Sequence, residues 1–165
     1  MAKALKQHKK VGTEYLATVG PKLKVSHAFP FPASAVWAAL LDAKAWTEWL
    51  TITNVTWTSP QPFGVGTTRT VEVGGMVIEE VFFIWEEGRR MAFYFDKTTL
   101  PISAGVEDYH VVETPGGCEL HWAGKASGPF VIGGLVSNQL AKGIAAGMPK
   151  LEALIRDNPG RFGIA

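Results

Sequence analysis

The sequence of 165 residues contains one cysteine, Cys118. A single thiol excludes an intrachain disulfide and any metal site built from several cysteines. The four histidines are scattered without recurring ligand spacing, so no metal is expected. Neither sign of charge dominates: 16 Lys and Arg stand against 15 Asp and Glu, a net charge of +1. That is too little to grip nucleic acid through its phosphates, and no nucleic-acid partner is expected. No apolar run reaches the roughly 18 residues of a membrane span. The basic start, Met1 to Lys10, lacks the apolar core of a secretory signal, so a cytoplasmic location is expected. Repeats and low-complexity segments are absent. Gly64-Val65-Gly66 is too short for a nucleotide fingerprint and no helix follows it, and nothing else implies a cofactor.

What is present is apolar. Hydrophobic residues make up 47% and charged residues 19%, which excludes a disordered chain and allows one sizeable core. Six tryptophans stand beside nine phenylalanines and three tyrosines, more large rings than an ordinary core of this size requires. Such rings also make good pocket walls.

The first residues read as an arm over 1–21, loose or with a short helix, ended by Gly20-Pro21. Lys22 to Phe29 alternates, with Leu23, Val25, His27 and Phe29 on one face, and predicts a half-buried strand ended by Pro30 and Pro32. Ala33 to Leu41 has helical spacing, with Ser34 as a candidate cap. Asp42 is placed to cap a second short helix carrying Trp46 and Trp49 on one face. Strands follow over Ile52–Thr58, Thr67–Val73, Met76–Glu86, Arg89–Thr98, Ser103–Glu113 and Cys118–Ala126. Gly74-Gly75 and Pro115-Gly116-Gly117 mark hairpins, so the strands form an antiparallel meander. A long helix, about Gly133 to Asp157, carries the stripe Val136, Leu140, Ile144, Met148, Leu151 and Ile155. Pro149 inside it predicts a bend, and Gly143 and Gly147 thin it beside the stripe.

Several polar residues could carry chemistry. His27 shares a face with apolar neighbours, as a polar anchor or base in a pocket, a buried histidine bonded to a neighbour, or a rim residue. Glu79 and Glu80 are adjacent in a strand, so without a bulge one carboxylate points to the buried side. Arg69, on the neighbouring strand, could pair with it; a bulge would put both acids in solvent. The same strand is apolar on both faces, so on a one-sided sheet Ile78, Phe82 and Ile84 would need covering, by the arm or by a second subunit in a homodimer. Glu107, Asp108, Tyr109 and His110 form a polar cluster, in which Asp108 and His110 could act as acid and base or stand as a solvated ladder. Cys118 reads as a buried thiol.

The order strand, two short helices, antiparallel strands, long last helix resembles the START-like superfamily, also called SRPBCC or the birch-pollen-allergen helix-grip fold, and within it the polyketide cyclase/dehydrase branch. The residues carrying this are Pro32 to Leu40, Asp42 with Trp46 and Trp49, Pro62 to Gly66 with Arg69, and Trp85 to Arg90. The resemblance covers about 22–159, leaving 160–165 as a tail. It implies an α+β fold in which a curved sheet of about six to seven strands wraps the long C-terminal helix around an apolar cavity. It further implies a small hydrophobic ligand (a lipid, sterol, quinone or polyketide). Walls would come from Trp37, Trp49, Phe83, Trp85, Phe93, Phe95, Trp122, Val136 and Leu140. Arg69, His27, Glu79 or Tyr109 would orient a polar group. An enzyme of cyclase/dehydrase type would use His27, Glu79 or Asp108. A protein-interaction module, contacting a partner through the basic arm, is the third reading.

Overall fold

The computed structural model describes residues 3–165; Met1 and Ala2 of the expected arm lie outside them. The strands are β1 (Lys6–Gln7), β2 (Lys24–Phe29), β3 (Asn54–Trp57), β4 (Thr68–Val73), β5 (Met76–Glu86), β6 (Arg90–Thr98), β7 (Ala104–Thr114) and β8 (Gly117–Ser127). The helices are α1 (Thr13–Leu16), α2 (Ala33–Leu41), α3 (Ala43–Trp49) and α4 (Ile132–Asp157). All ladders are antiparallel, in the order β2-β8-β7-β6-β5-β4-β3, with β1 beside β6. The sheet packs its inner face against α4, with α2 and α3 filling one side. This is the helix-grip arrangement.

Local chemistry explains the elements. Gly74 and Gly75, both at positive φ (+53° and +82°), make the two-residue turn between β4 and β5, a backbone that residues with a β-carbon rarely adopt. The Asp42 carboxylate accepts from the backbone N–H groups of Lys44 and Ala45, capping α3 as expected. Ser34 does not cap α2: Pro32 stands at the cap position and no side chain bonds there. The first strand is shorter than its alternation suggests. Pro21 to Leu23 form a single 3-10 turn, started by the fixed φ of Pro21, and β2 begins at Lys24.

The helix α4 runs through Pro149, whose ring is exposed. Its buried face is Gly133, Ser137, Ala141, Ile144, Gly147, Met148, Leu151 and Ile155. Toward the C-terminus this is the expected stripe. Toward the N-terminus it lies one residue on from Val136 and Leu140, which are half-buried. The cause is close approach. The Ser137 hydroxyl donates to the Ala126 and Gly133 carbonyls and accepts from the Ala126 N–H. A β-carbon on Gly133 would come within 2.8 Å of the Gly128 nitrogen. Small residues face β8 there because larger ones do not fit.

β5 and β6 pair with two register shifts, the first skipping Asp96 of β6 and the second Phe83 of β5, so only the second changes the faces of β5. One falls between Glu79 and Glu80, the other between Phe82 and Ile84. Ile78, Glu80 and Phe82 are buried on the inner side. Phe83 and Ile84 both lie outside, and Trp85 returns inside. The arm covers the outer pair. Leu16 and Val19 bury themselves against Ala92 and Val106, beside Phe83 and Ile84. The Tyr15 and Ser127 hydroxyls are hydrogen-bonded at 2.6 Å, and Lys125 lies 4.3 Å from the Tyr15 ring centre. The chain thus supplies its own cover for the apolar outer face. Leu16→Ala should lower stability by about 2 kcal/mol, the low end for a buried leucine at a rim. Urea unfolding would measure it, and an unchanged midpoint would show that the arm does not hold the sheet.

Candidate functional site

The most unusual place in the molecule is a charged group at the centre of the core. Arg69 on β4 is 2% exposed. Register puts it directly opposite Glu80 of β5. Its Nε donates to Glu80 Oε2 at 2.7 Å and its Nη2 lies 2.6 Å from the same oxygen. Four rings enclose the guanidinium: Trp46, Phe93, Trp57 and Phe82, at 4.5, 4.9, 5.2 and 5.3 Å from its carbon to the ring centres. Ring faces attract a cation, so the box offsets part of the cost of removing the charge from water.

A second carboxylate, Glu107 of β7, is 8% exposed. It accepts from the Tyr109 hydroxyl at 2.7 Å and from Trp122 Nε1 at 3.4 Å. Glu80 pairs directly with the guanidinium, and Glu107 feels its charge without an ion pair to it. Burial pushes Glu80 up to about 7; the charge of Glu107 adds to this and Arg69 opposes it. Burial also raises Glu107, against the hydrogen bonds from Tyr109 and Trp122 and the attraction of Arg69. Burial first, and then the neighbouring Glu107, hold the Tyr109 phenol well above its ordinary range. Near neutral pH Glu80 therefore exists in both protonation states, and burial favours the neutral form of Glu107 as well.

Two donors in this region are unmatched. Arg69 Nη1 and Trp49 Nε1 are buried with no hydrogen-bond partner among the described residues. An N–H buried without an acceptor costs about 1–3 kcal/mol. Trp49 packs at 5.3 Å on Trp46, the ring nearest the guanidinium. The rings continue outward: Trp46 on Tyr109, Tyr109 on Phe93, Phe93 on Phe82, Phe82 on Trp85 and Trp85 on Trp37. At the far end, Trp37 Nε1 and Trp85 Nε1 both donate to the exposed Glu87. On the other side of β4 and β5 a hollow of about 270 Å³, edged by Thr58, Thr70, Glu79 and Asp96, backs onto Arg69 and Glu80.

The fold gathers some of the expected residues and separates others. Arg69, Trp49, Phe93, Tyr109 and Trp122 come together around the charged cluster. Phe95 lies beside Phe93, its ring over Gly105, where a β-carbon would strike it at 2.2 Å. Trp37 and Trp85 join through the ring chain, and Val136 and Leu140 flank it from α4. Phe83 is outside, beside Tyr94, as alternation with the inward Phe82 requires; the bulge that follows turns Trp85 inward. Glu79 is also outside, 3.9 Å from Lys97; the inward acid is its neighbour Glu80. Asp108 points outward to Arg90 at 3.0 Å. His27 sits at the seam of β2 and α4, one-quarter exposed and 2.7 Å from Glu152, not in the aromatic interior. Glu107 was legible by parity: it shares its face with Tyr109, two residues on. Trp46, which completes the box with Trp57 and Phe82, was legible only as the face partner of Trp49; the other two carry no signal beyond being apolar.

Comparison with known proteins agrees with this architecture. A curated protein of Mycobacterium tuberculosis, itself named only as uncharacterized, is 54% identical over 95 residues. That match takes in 54% of this chain and 57% of the other, so the chain spans little more than half the length of the curated relatives it matches. The solved structure of protein XoxI from Bacillus cereus superposes with a TM-score of 0.67 at 16% identity, covering 81% of this chain and 94% of that one. A START superfamily protein from Mycobacterium smegmatis gives 0.65 at 11% identity, covering 81% and 96%. Among the described residues no helix is long and apolar enough to cross a membrane. Residues 21–156 match the family described as polyketide cyclase / dehydrase and lipid transport, and the chain belongs to that family of START-like helix-grip proteins.

Proposed function

We propose that the protein binds a small, largely apolar molecule between the sheet and α4, and that an acceptor oxygen on this molecule takes hydrogen bonds from Arg69 Nη1 and Trp49 Nε1. The carrying observation is that both donors are buried, unmatched and set in an aromatic wall. Family membership supports the apolar character of the ligand. The acceptor is a neutral one, such as a carbonyl. A ligand carboxylate would be a third acid beside one guanidinium and would require two bound protons. Entry requires the rings to part, which an interior held mainly by dispersion and ring contacts allows on the timescale of local opening.

Equilibrium dialysis with three probes of one skeleton tests this: 2-acetylnaphthalene, 2-ethylnaphthalene and 2-naphthoate. The ketone should bind about tenfold tighter than the hydrocarbon and the carboxylate weakest at neutral pH, since a hydrogen bond from a charged donor contributes about 1.5–3 kcal/mol. Trp49→Phe should narrow the ketone's advantage and leave the hydrocarbon unaffected. Failure of all three probes to bind would remove the binding reading; equal binding of ketone and hydrocarbon would remove only the acceptor.

One observation favours a second reading, catalysis. Glu80, held near 7, can both keep and release a proton at neutral pH beside the bound acceptor. Enzyme-dependent exchange of the methyl protons of 2-acetylnaphthalene with deuterated solvent, lost in Glu80→Gln, would support it; exchange at the uncatalysed rate would count against it.

A further inference from the structure

We propose that the end of the molecule at which α4 begins docks on an anionic lipid surface. Four of the large apolar residues left exposed lie at this end: Phe130 (100%), Val131 (70%), Leu135 (59%) and Leu5 (43%). Phe130 is also a residue with a β-carbon at positive φ, +54°. The chain holds an aromatic ring in an unfavourable backbone conformation and gives it no cover, which points to a partner outside the fold.

The surroundings identify the partner's chemistry. The Lys9 N–H donates to Ser103, and the Ser103 N–H donates to Ser127, three residues before Phe130. Lys6 pairs with Thr98, and Lys3 and Lys6 border a hollow shared with Leu100 and Pro101. Pro101 in turn lies against Gly128, where a β-carbon would sit 3.2 Å from its carbonyl oxygen. Lys3, Lys6 and Lys9 are all exposed, and no acid occurs before Glu14. Asp96, an acid close to this segment, accepts a hydrogen bond from the Gln7 side chain. The first turn of α4 holds no acid and no side chain caps it, so the positive end of a 26-residue helix faces the same way. An apolar tip ringed by lysines and a helix N-terminus matches apolar tails under phosphate headgroups. It would join the plane of the headgroups without any segment crossing the bilayer. This proposal stands on the tip and does not depend on the interior site.

Co-sedimentation of the full chain with vesicles tests it, comparing phosphatidylcholine alone with phosphatidylcholine containing phosphatidylserine. The protein should pellet with the anionic vesicles, and raised salt should release it. Phe130→Ser should lower partitioning about tenfold, since burying that ring is the largest apolar contribution. Replacing Lys3, Lys6 and Lys9 together by glutamine should lower it about a hundredfold, at roughly fivefold per lysine. All four positions are exposed, so melting should be unchanged and the loss can be assigned to the surface. Equal binding to both vesicle types would overturn the proposal, as would full binding by Phe130→Ser. So would a lipid-free dimer that Phe130→Ser converts to monomer, which would place a second copy on the tip.

Discussion

Arg69→Met should destabilise the protein by about 3–5 kcal/mol at pH 8, the cost of leaving buried carboxylates without their cation. The loss should shrink by half or more at pH 5. The sign follows from the acids. Glu80 is raised from its ordinary value near 4.5 to about 7 in the folded chain, so the folded state binds its proton more tightly than the unfolded state. Its ionisation therefore costs folding stability as pH rises across that window, by about 3 kcal/mol for a shift of this size. Glu107 is raised in the same direction. Without Arg69 both are raised further and the dependence steepens. Urea unfolding at the two pH values measures this; complete unfolding at pH 8 with a cooperative transition at pH 5 would be the same result in a stronger form. Glu80→Gln should flatten the wild-type pH dependence. A cost of Arg69→Met that is the same at both pH values would mean that the carboxyls are solvated and the cluster is not closed.

Gly147→Ala should cost about 2–3 kcal/mol, although alanine favours helices over glycine. A β-carbon there would lie 2.7 Å from the Trp49 carbonyl oxygen, 2.9 Å from the Trp49 ring and 2.6 Å from Leu50. Leu50 can swing away, but the carbonyl cannot, so α3 and α4 must separate. In a chain of this length that corresponds to a drop of roughly 5–10 °C in Tm. Because Trp49 carries an unmatched donor, preference for the ketone over the hydrocarbon should weaken as well. Gly143→Ala, one turn earlier on the same helix, meets nothing within 4 Å. It should raise stability by about 0.5–1 kcal/mol. Differential scanning calorimetry of the two variants gives opposite signs if the close approach at Gly147 is real, and matching signs if it is not.

The sequence made the order of elements legible because its punctuation is strong: prolines after β2, glycine pairs at turns, a cap at Asp42 and a four-and-three stripe on α4. Side-chain faces were harder to read. Strand β5 is apolar on both sides, so alternation could not say whether Glu79 or Glu80 points inward. The bulge near Phe83 has no glycine or proline to mark it. It sends Phe83 and Trp85, equal in parity, to opposite faces. On α4 large apolar side chains mark Val136 and Leu140, whereas the buried face takes the smaller Ser137, bonded to Ala126 of β8, and Ala141. Whether His27 stands inside or at the rim was open for a related reason. A strand at the edge of a curved sheet meets the last helix along a seam, and position on that seam depends on curvature rather than on pattern. Pairing of Arg69 with an acid was foreseeable from adjacent strands. The aromatic box was not, since it draws on α3, β3, β5 and β6, which are far apart in sequence.

The ring chain also gives the molecule an optical signature. Trp46 and Trp49 sit 5.3 Å apart and inclined at 39°; Trp37 and Trp85 sit 5.6 Å apart and inclined at 74°. Indole transitions held this close in fixed, non-parallel orientations couple, and coupled chromophores rotate light far more strongly than isolated ones. The two pairs stand at opposite ends of one chain of rings. The circular-dichroism spectrum thus sums two couplings, one for the interior beside Arg69 and one for the end near Glu87, with Trp57 6.3 Å from Trp85 between them. Spreading of the rings around Arg69 would weaken the first coupling most, and would reach the second only through Trp57.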